Sequence, residues 1–385
     1  MTNNLPKIID CLAELVAIPS VSSVDPAYDQ SNRQAVDLLA NRFEDIGCTV
    51  EILPVSEQPE KLNLIACLGE GEEGLVLSGH TDTVPFDEHA WEQDPLRLVE
   101  KDNRLYGLGA SDMKCFFPLV LEIMGRLDPK KLEHPVFVLG TADEESTMAG
   151  AIALANTGKK LGRHALIGEP TGLKPVHIHK GILMASIKLT GRSGHSSDPS
   201  LGNSALEGMH AVISSLLEWR EELQTCYTNH LFNIPVPTLN LGSIHGGDNA
   251  NRICASCELT IDIRLLPEME VELIHNNLHK RVAGAIDGSG LDLKMDPLFA
   301  GLPGMQTDVN AEIIKVTEKL SGQKSGTIAF GTEGPYLNSM GMETVILGPG
   351  DIDVAHQANE YVSIDRIQPM LDILEQLVDH FCIRG

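Results

Sequence analysis

Leu75-Val-Leu-Ser-Gly-His-Thr-Asp82 is a short apolar run that stops at a glycine and then delivers a histidine and a carboxylate. A run this short, bounded by turn residues, reads as a buried strand. The pattern recurs along the chain. Val136-Phe-Val-Leu139 leads to Asp143-Glu144-Glu145, and Ala165-Leu-Ile167 leads to Glu169-Pro170. Thr344-Val-Ile-Leu-Gly348 leads through Pro349-Gly350 to His356. Helical spacing fills 32–46 and 115–127 between the runs, follows Leu5 to Val16 at the start, and closes the chain over 366–382. Alternation of buried strands with amphipathic helices predicts an α/β layer around a mostly parallel sheet.

The pattern changes after residue 180. Residues 182–190 alternate like a half-exposed strand, and 203–223 read as a helix. Strands near 236–243 and 253–265, a helix near 268–285 and a strand near 290–296 follow. This β-α-β-β-α-β order is the ferredoxin-like signature. The expected organisation is an α/β catalytic domain over 1–180 and 293–385, interrupted by an inserted α+β domain over 181–292. A chain of 385 residues passes the size at which one core usually stops growing, so two domains are expected.

Composition narrows the partners. The net charge is −25, and no Lys/Arg run is present of the kind that displaces counterions from phosphates, which argues against nucleic acid. Aromatics make up only 4%, so stacking surfaces for bases are not expected. The first helical stretch is interrupted by Asp10 and Glu14, unlike a signal peptide. No apolar run reaches the length of about 18 residues needed to span a membrane, so a cytoplasmic protein is expected. The eight cysteines are scattered, which disfavours a disulfide framework. Cys254-Ala-Ser-Cys257 has zinc-site spacing but lacks a second pair, and it reads as strand packing.

The chemistry sits at the strand ends. In open α/β sheets, ligand sites lie outside the carboxyl ends of the strands. His80, Glu144-Glu145, Glu169 and His356 all follow such runs, and Asp112 precedes the helical stretch at 115–127, where it can aim at the same crevice. Any one of these alone reads as a solvated loop residue; their convergence points to metal. Imidazole nitrogen with carboxylate oxygen suits zinc-like ions. Two histidines and three carboxylates suffice for two ions if one carboxylate bridges. Ions so paired, roughly 3.5–4 Å apart, can act together on a carbonyl and a water. Adjacent Glu144 and Glu145 point in different directions, so one can ligate while the other serves as general base. Asp82 can accept the second imidazole N–H of His80 and fix its tautomer.

Gly79-His-Thr-Asp-Thr-Val-Pro85, Gly109-Ala-Ser-Asp-Met-Lys114, Ala142-Asp-Glu-Glu-Ser146 and Gly168-Glu-Pro-Thr171 resemble the aminoacylase/carboxypeptidase family of co-catalytic zinc amidohydrolases. The motifs are ordered and spread over nearly the whole chain. The resemblance implies two divalent ions, zinc first and cobalt as the alternative. His80 and Glu169 would hold one, Glu145 and His356 the other, with Asp112 bridging. Glu144 would be the general acid/base, and Asp82 would support His80. The inserted domain would be a lid that also makes a homodimer, with His195 steadying the oxyanion in a partner subunit's site. Asn251 and Arg252 would lie near the substrate carboxylate, for which an Arg fork is well shaped. Where the family usually has a glycine after Asp-Met-Lys, this chain has Cys115, which bears on packing beside the site.

Within the family, Gly194-His-Ser-Ser-Asp-Pro199, Leu239 to Asp248, Asn251-Arg-Ile-Cys254, Gly331-Thr-Glu333 and Leu347-Gly-Pro-Gly350 with His356-Gln resemble the bacterial branch that takes the acetyl group from N2-acetyl-L-ornithine in arginine biosynthesis. The substrate expected is thus a small N-acyl amino acid. Desuccinylation of N-succinyl-diaminopimelate, or hydrolysis of another N-acyl amino acid, is the nearest alternative. A non-catalytic metal- or ligand-binding protein on the same fold is an alternative of another class, disfavoured because Glu144 and all the ligand-type residues are retained. A Ser/His hydrolase built on Gly194-His-Ser-Ser lacks a Gly-x-Ser-x-Gly nucleophile elbow.

Overall fold

The computed structural model describes residues 4–57 and 60–383. The chain divides into two compact units. The first comprises 1–177, 307–326 and 332–385, and the second 178–306 and 327–331.

In the first unit, neighbouring strands run in the order Thr49–Glu57, Glu60–Leu68, Val136–Thr141, Leu75–His80, His164–Ile167 and Glu343–Ile346. The strands at the centre pair in parallel: Leu75–His80 lies between Val136–Thr141 and His164–Ile167, and Glu343–Ile346 lies beside His164–Ile167. The flanks are antiparallel. The sheet is thus mixed, where the sequence pattern predicts a mostly parallel one. Strands that the apolar-run pattern does not reveal are the reason: Thr49–Glu57 and Glu60–Leu68 on one flank and Val176–His179 on the other. The first two are separated by only two residues. Strands so close in sequence pair antiparallel, because parallel pairing needs a crossover of a dozen residues or more.

Helices Leu5–Val16, Arg33–Asp45, Phe116–Met124 and Ile367–Val378 share one core with this sheet through Leu12, Leu15, Phe43, Phe117, Val120 and Leu374. Burial of such a side chain contributes on the order of 1.5–3 kcal/mol. That apolar face, rather than capping, holds Leu5–Val16, whose Asn4 makes no side-chain cap bond. Gly168 shows how tightly the helices approach: a Cβ there would lie 2.2 Å from the Phe116 ring. The central strands are parallel, so their carboxyl ends open on one edge, and His80 is the last residue of its strand.

The second unit is a four-stranded antiparallel sheet in the order Thr238–Gly246, Ser256–Leu265, Gly181–Thr190, Asp292–Leu302. Helices Ala205–Cys226 and Val271–Ala285 share its core through Val212, Leu216, Leu278 and Val282. The chain order is therefore β-α-β-β-α-β. The unit runs past residue 292 to Gln306, because Asp292–Leu302 pairs with Gly181–Thr190 along its length. Cys257 is fully buried opposite Leu189, and the Cys254 thiol donates to the Ser256 carbonyl at 3.0 Å. Both are free thiols, as strand packing requires. Among the described residues, no helix is long and apolar enough to cross a membrane.

Candidate metal centre

The first unit brings His80, Asp112, Glu144, Glu145, Glu169 and His356 to the carboxyl edge of its sheet. Ligand atoms of His80, Glu144 and Glu169 lie within 4.8 Å of one another, as do those of His80, Asp112 and Glu145. Asp112 stands in the middle. Its Oδ1 is 3.1 Å from His80 Nε2, and its Oδ2 is 3.3 Å from His356 Nε2. Glu169 Oε1 lies 3.6 Å from His80 Nε2 on one side, and Glu145 Oε2 lies 3.0 Å from His356 Nε2 on the other. One carboxylate thus offers each of its oxygens to a separate histidine–glutamate pair.

Backbone conformation delivers these groups. Asp143, just before Glu144, adopts φ +56°, and its carbonyl accepts from the Thr147 and Met148 N–H groups, closing the loop that carries both glutamates. His356 has φ +58°. Its side chain is half exposed, whereas His80 and Asp112 are buried. The His80 Nδ1–H reaches the main-chain carbonyl of Asp82 at 3.0 Å, and the Asp82 carboxylate is 3.8 Å away. The tautomer is therefore set by the backbone of Asp82 rather than by its side chain, which instead accepts the Glu145 N–H at 3.1 Å. A carbonyl two residues downstream on the same turn is closer than a side chain that points to the neighbouring loop.

The electrostatics call for a cation. Withdrawal from water pushes the carboxyls of Glu144 and Glu169 well above the usual range, with neighbouring carboxylates adding to it. Burial, then Asp112, raises Glu145 as well. Burial alone would raise Asp112, but hydrogen bonds from His356 and His80 override it and hold that carboxyl low. Burial would lower His80, yet Asp112 and the surrounding carboxylates raise it. Asp112 and Glu145 hold His356 up to about 11. In this state protons on the imidazoles offset the carboxylates. Glu169 Oε1 and Asp82 Oδ1 are buried with no hydrogen-bond donor among the described residues. The donor set, imidazole nitrogens and carboxylate oxygens around a shared carboxylate, fits divalent ions that would displace those protons.

Further buried groups brace the centre. The Glu360 carboxylate accepts the N–H groups of Gly109, Ser111 and Asp112 at 3.0, 2.7 and 2.9 Å. Glu333 accepts the hydroxyls of Ser78 and Thr141, both at 2.5 Å. Lys61, fully buried, pairs with Asp29 at 2.7 Å and Asp143 at 2.6 Å. Lys114 donates to the carbonyls of Leu15 and Ile18, and burial pulls its ammonium down to about 8. The sequence pattern assigns no role to these residues. Only Glu333 carries a signal, as part of Gly331-Thr-Glu. Cys115 packs in the core beside Asp112, where burial pushes its thiol up and keeps it protonated.

His195, Asn251 and Arg252 lie in the second unit and are exposed. His195 and Arg252 form an isolated antiparallel bridge, and the Ser196 N–H donates to the Asn251 carbonyl at 3.1 Å. His195 Nδ1 is 2.7 Å from the Ser197 hydroxyl, and Arg252 Nη1 is 2.6 Å from Asp248. Arg252 borders an open crevice of about 870 Å³, together with Ser196, Glu207 and Asn249.

Comparison with known proteins agrees with this architecture. The sequence profile of Peptidase family M20/M25/M40 matches residues 76–380. The chain is 46% identical to the acetylornithine deacetylase of Pectobacterium atrosepticum, over 99% of this chain and 100% of that one. It is 44% identical to the acetylornithine deacetylase of Proteus mirabilis, over 100% of this chain and 99% of that one. Among solved structures, an M20 family metallo-carboxypeptidase from Sulfolobus solfataricus superposes with a TM-score of 0.75 at 18% identity, covering 98% of this chain and 99% of that one.

Proposed function

The chain belongs to peptidase family M20/M25/M40, and from that premise we propose that its metal centre removes the acetyl group from N2-acetyl-L-ornithine, giving L-ornithine and acetate. It is a metal-dependent amidohydrolase. The observation that carries the substrate is near-complete alignment at 46% identity with a relative of that activity. The observation that carries the chemistry is Asp112, with one oxygen toward His80 and the other toward His356.

Two divalent ions fit this arrangement, zinc before cobalt. His80 and Glu169 would hold one, Glu145 and His356 the other, and Asp112 would bridge. Bound there, the ions supply Lewis acidity that polarises the amide carbonyl and makes water a nucleophile near neutral pH. Glu144 is left to act as the base. It takes the proton of the attacking water and returns it to the departing amine as the C–N bond breaks. Asp82 orients this machinery through its carbonyl on His80 and its carboxylate on the Glu145 N–H. His195 contributes a donor to the oxyanion, reached through a homodimer made by the second unit. Asn251 and Arg252 recognise the substrate carboxylate, which an Arg fork binds through two parallel bonds.

The test is release of ornithine from N-acetylornithine by the enzyme as isolated, after chelation, and after zinc or cobalt is restored. Activity lost and regained with metal is the expected result. Metal uptake without ornithine release moves the substrate to another acyl amino acid, with N-succinyl-diaminopimelate next in the panel. Persistent activity in a protein shown to be metal-free overturns the mechanism.

A further inference from the structure

The mechanism gives no part to two buried carboxylates of the first unit, Glu333 and Glu360, and Glu360 is the one tied to the loop of a metal ligand. Glu360 is almost wholly inaccessible, at 2% exposure. Its Oε1 accepts from the N–H groups of both Ser111 and Asp112, and its Oε2 accepts from Gly109. The Glu360 main-chain carbonyl also accepts the Gly107 N–H at 3.0 Å. A single residue therefore takes up four backbone donors of the loop that presents Asp112, those of Gly107, Gly109, Ser111 and Asp112.

Glu360 is only four residues beyond His356, on the loop that carries that histidine. A second tie runs alongside it. The Ser111 hydroxyl donates to the Asp351 carbonyl at 3.1 Å and accepts the Asp351 N–H at 2.8 Å. The two loops so joined deliver the two groups, Asp112 and His356, whose side chains meet at 3.3 Å. The other ligands do not depend on this link. His80 is the last residue of its strand, Glu169 follows another strand closely, and Glu145 is tied through its N–H to Asp82.

We propose that Glu360 is a positioning residue that locks the Asp112 loop to the His356 loop and thereby sets the affinity of the Glu145/His356 ion position over that of the His80/Glu169 position. The inference rests on the two-ion reading above. A carboxyl group is suited to the task because both of its oxygens can accept from N–H groups, and when ionised it is acceptor-only. An amide in its place must turn an NH₂ toward at least one backbone donor. Groups that orient a ligand in this way typically change metal affinity by about 10–100-fold when removed.

The experiment titrates the full-length metal-free protein with cobalt(II) alone. It follows the visible absorption of the bound ion and the metal content after desalting. Wild type should take up two ions per chain. Glu360→Gln should retain the first and bind the second about 10–100-fold more weakly, with a changed spectrum for that second equivalent. Glu360→Asp keeps the carboxyl group but is one methylene shorter, and it should restore part of the lost affinity. Two ions bound by Glu360→Gln with wild-type affinities and spectrum overturn the proposal, as does equal weakening of both. Should Glu360→Gln not fold by circular dichroism, Glu360→Asp takes its place, and a wild-type titration by that variant would overturn the proposal equally. Failure of wild type to take up two ions breaks the two-ion reading and this inference with it. Two ions without ornithine release breaks only the substrate assignment.

Discussion

In the first unit, His80, Asp112, Glu145, Glu169 and His356 hold one another at 3.0 to 3.6 Å. In the second, His195, Asn251 and Arg252 lie on exposed turns, where His195 meets Ser197 and Arg252 meets Asp248. The first group is placed by strand ends and by buried braces, and its shifted carboxyls and donor-less oxygens imply a cation by themselves. The second group is held in a way that many polar turns are held. Its geometry is compatible with catalysis without requiring it. Buried charge carries information about function because it is costly unless something compensates it. Exposed charge carries little, because water compensates it.

The largest effect expected separates the two roles inside the buried group. Glu144→Gln should lower kcat by about 10²–10⁴-fold, the usual worth of a positioned proton carrier, while uptake of two cobalt ions persists. Metal analysis beside steady-state kinetics checks it. Near-normal turnover with both ions bound would mean that Glu144 is not the base.

The next effect asks whether the exposed patch belongs to the chemistry at all. His195→Ala should cut kcat by about 10²–10³-fold, as loss of one oxyanion donor does, with KM and melting temperature nearly unchanged. An unchanged kcat would leave the patch outside catalysis and make the contrast between the two regions complete.

A stability measurement probes the scaffold that carries the patch. His179 is fully buried, and its Nδ1–H faces the Lys180 carbonyl at 2.9 Å. Burial pulls its imidazole down to about 4 from an ordinary 6.5. Between those values the unfolded chain binds the proton and the folded chain does not. Stability should therefore be full above pH 6.5, fall as the pH drops toward 4, and flatten below. The loss from this group is on the order of 3 kcal/mol. Denaturant melts of wild type and His179→Asn across that range would show it, with the variant losing this part of the slope.

The buried and exposed groups also differ in how legible they are in the sequence. His80 and Glu169 stand directly after short apolar runs, so strand assignment alone points them to the sheet edge. His356 and Asp112 lie in loops, and only their company with the others marks them. Glu360, Glu333 and Lys61 give no comparable signal. Each is a single charged residue whose burial arises from contacts with segments as distant as Gly109, Ser78 and Asp143. The same long-range dependence hides the antiparallel pairing of 60–68 with 136–141 and that of 292–302 with 181–190. Periodicity reports which face is apolar, and it does not report which strand will lie alongside.

Arg252 gives the smallest effect and the cleanest separation of folding from function. Its ion pair with Asp248 is short, at 2.6 Å, but the two side chains are 53% and 59% exposed. Pairs of that kind contribute about 0–1 kcal/mol at most, because solvent screens them and two long side chains must be ordered. Arg252→Ala should therefore melt within about 1 kcal/mol of wild type. If the guanidinium binds the substrate carboxylate, KM should rise by about tenfold, the lower end of what a charge-assisted hydrogen bond is worth, with kcat little changed. Arg252→Lys keeps the charge and loses the planar fork, so it should recover only part of that affinity. Full recovery by lysine would show that charge alone matters there. Unchanged KM in both variants would remove Arg252 from substrate recognition and leave its pairing with Asp248 as a feature of the turn.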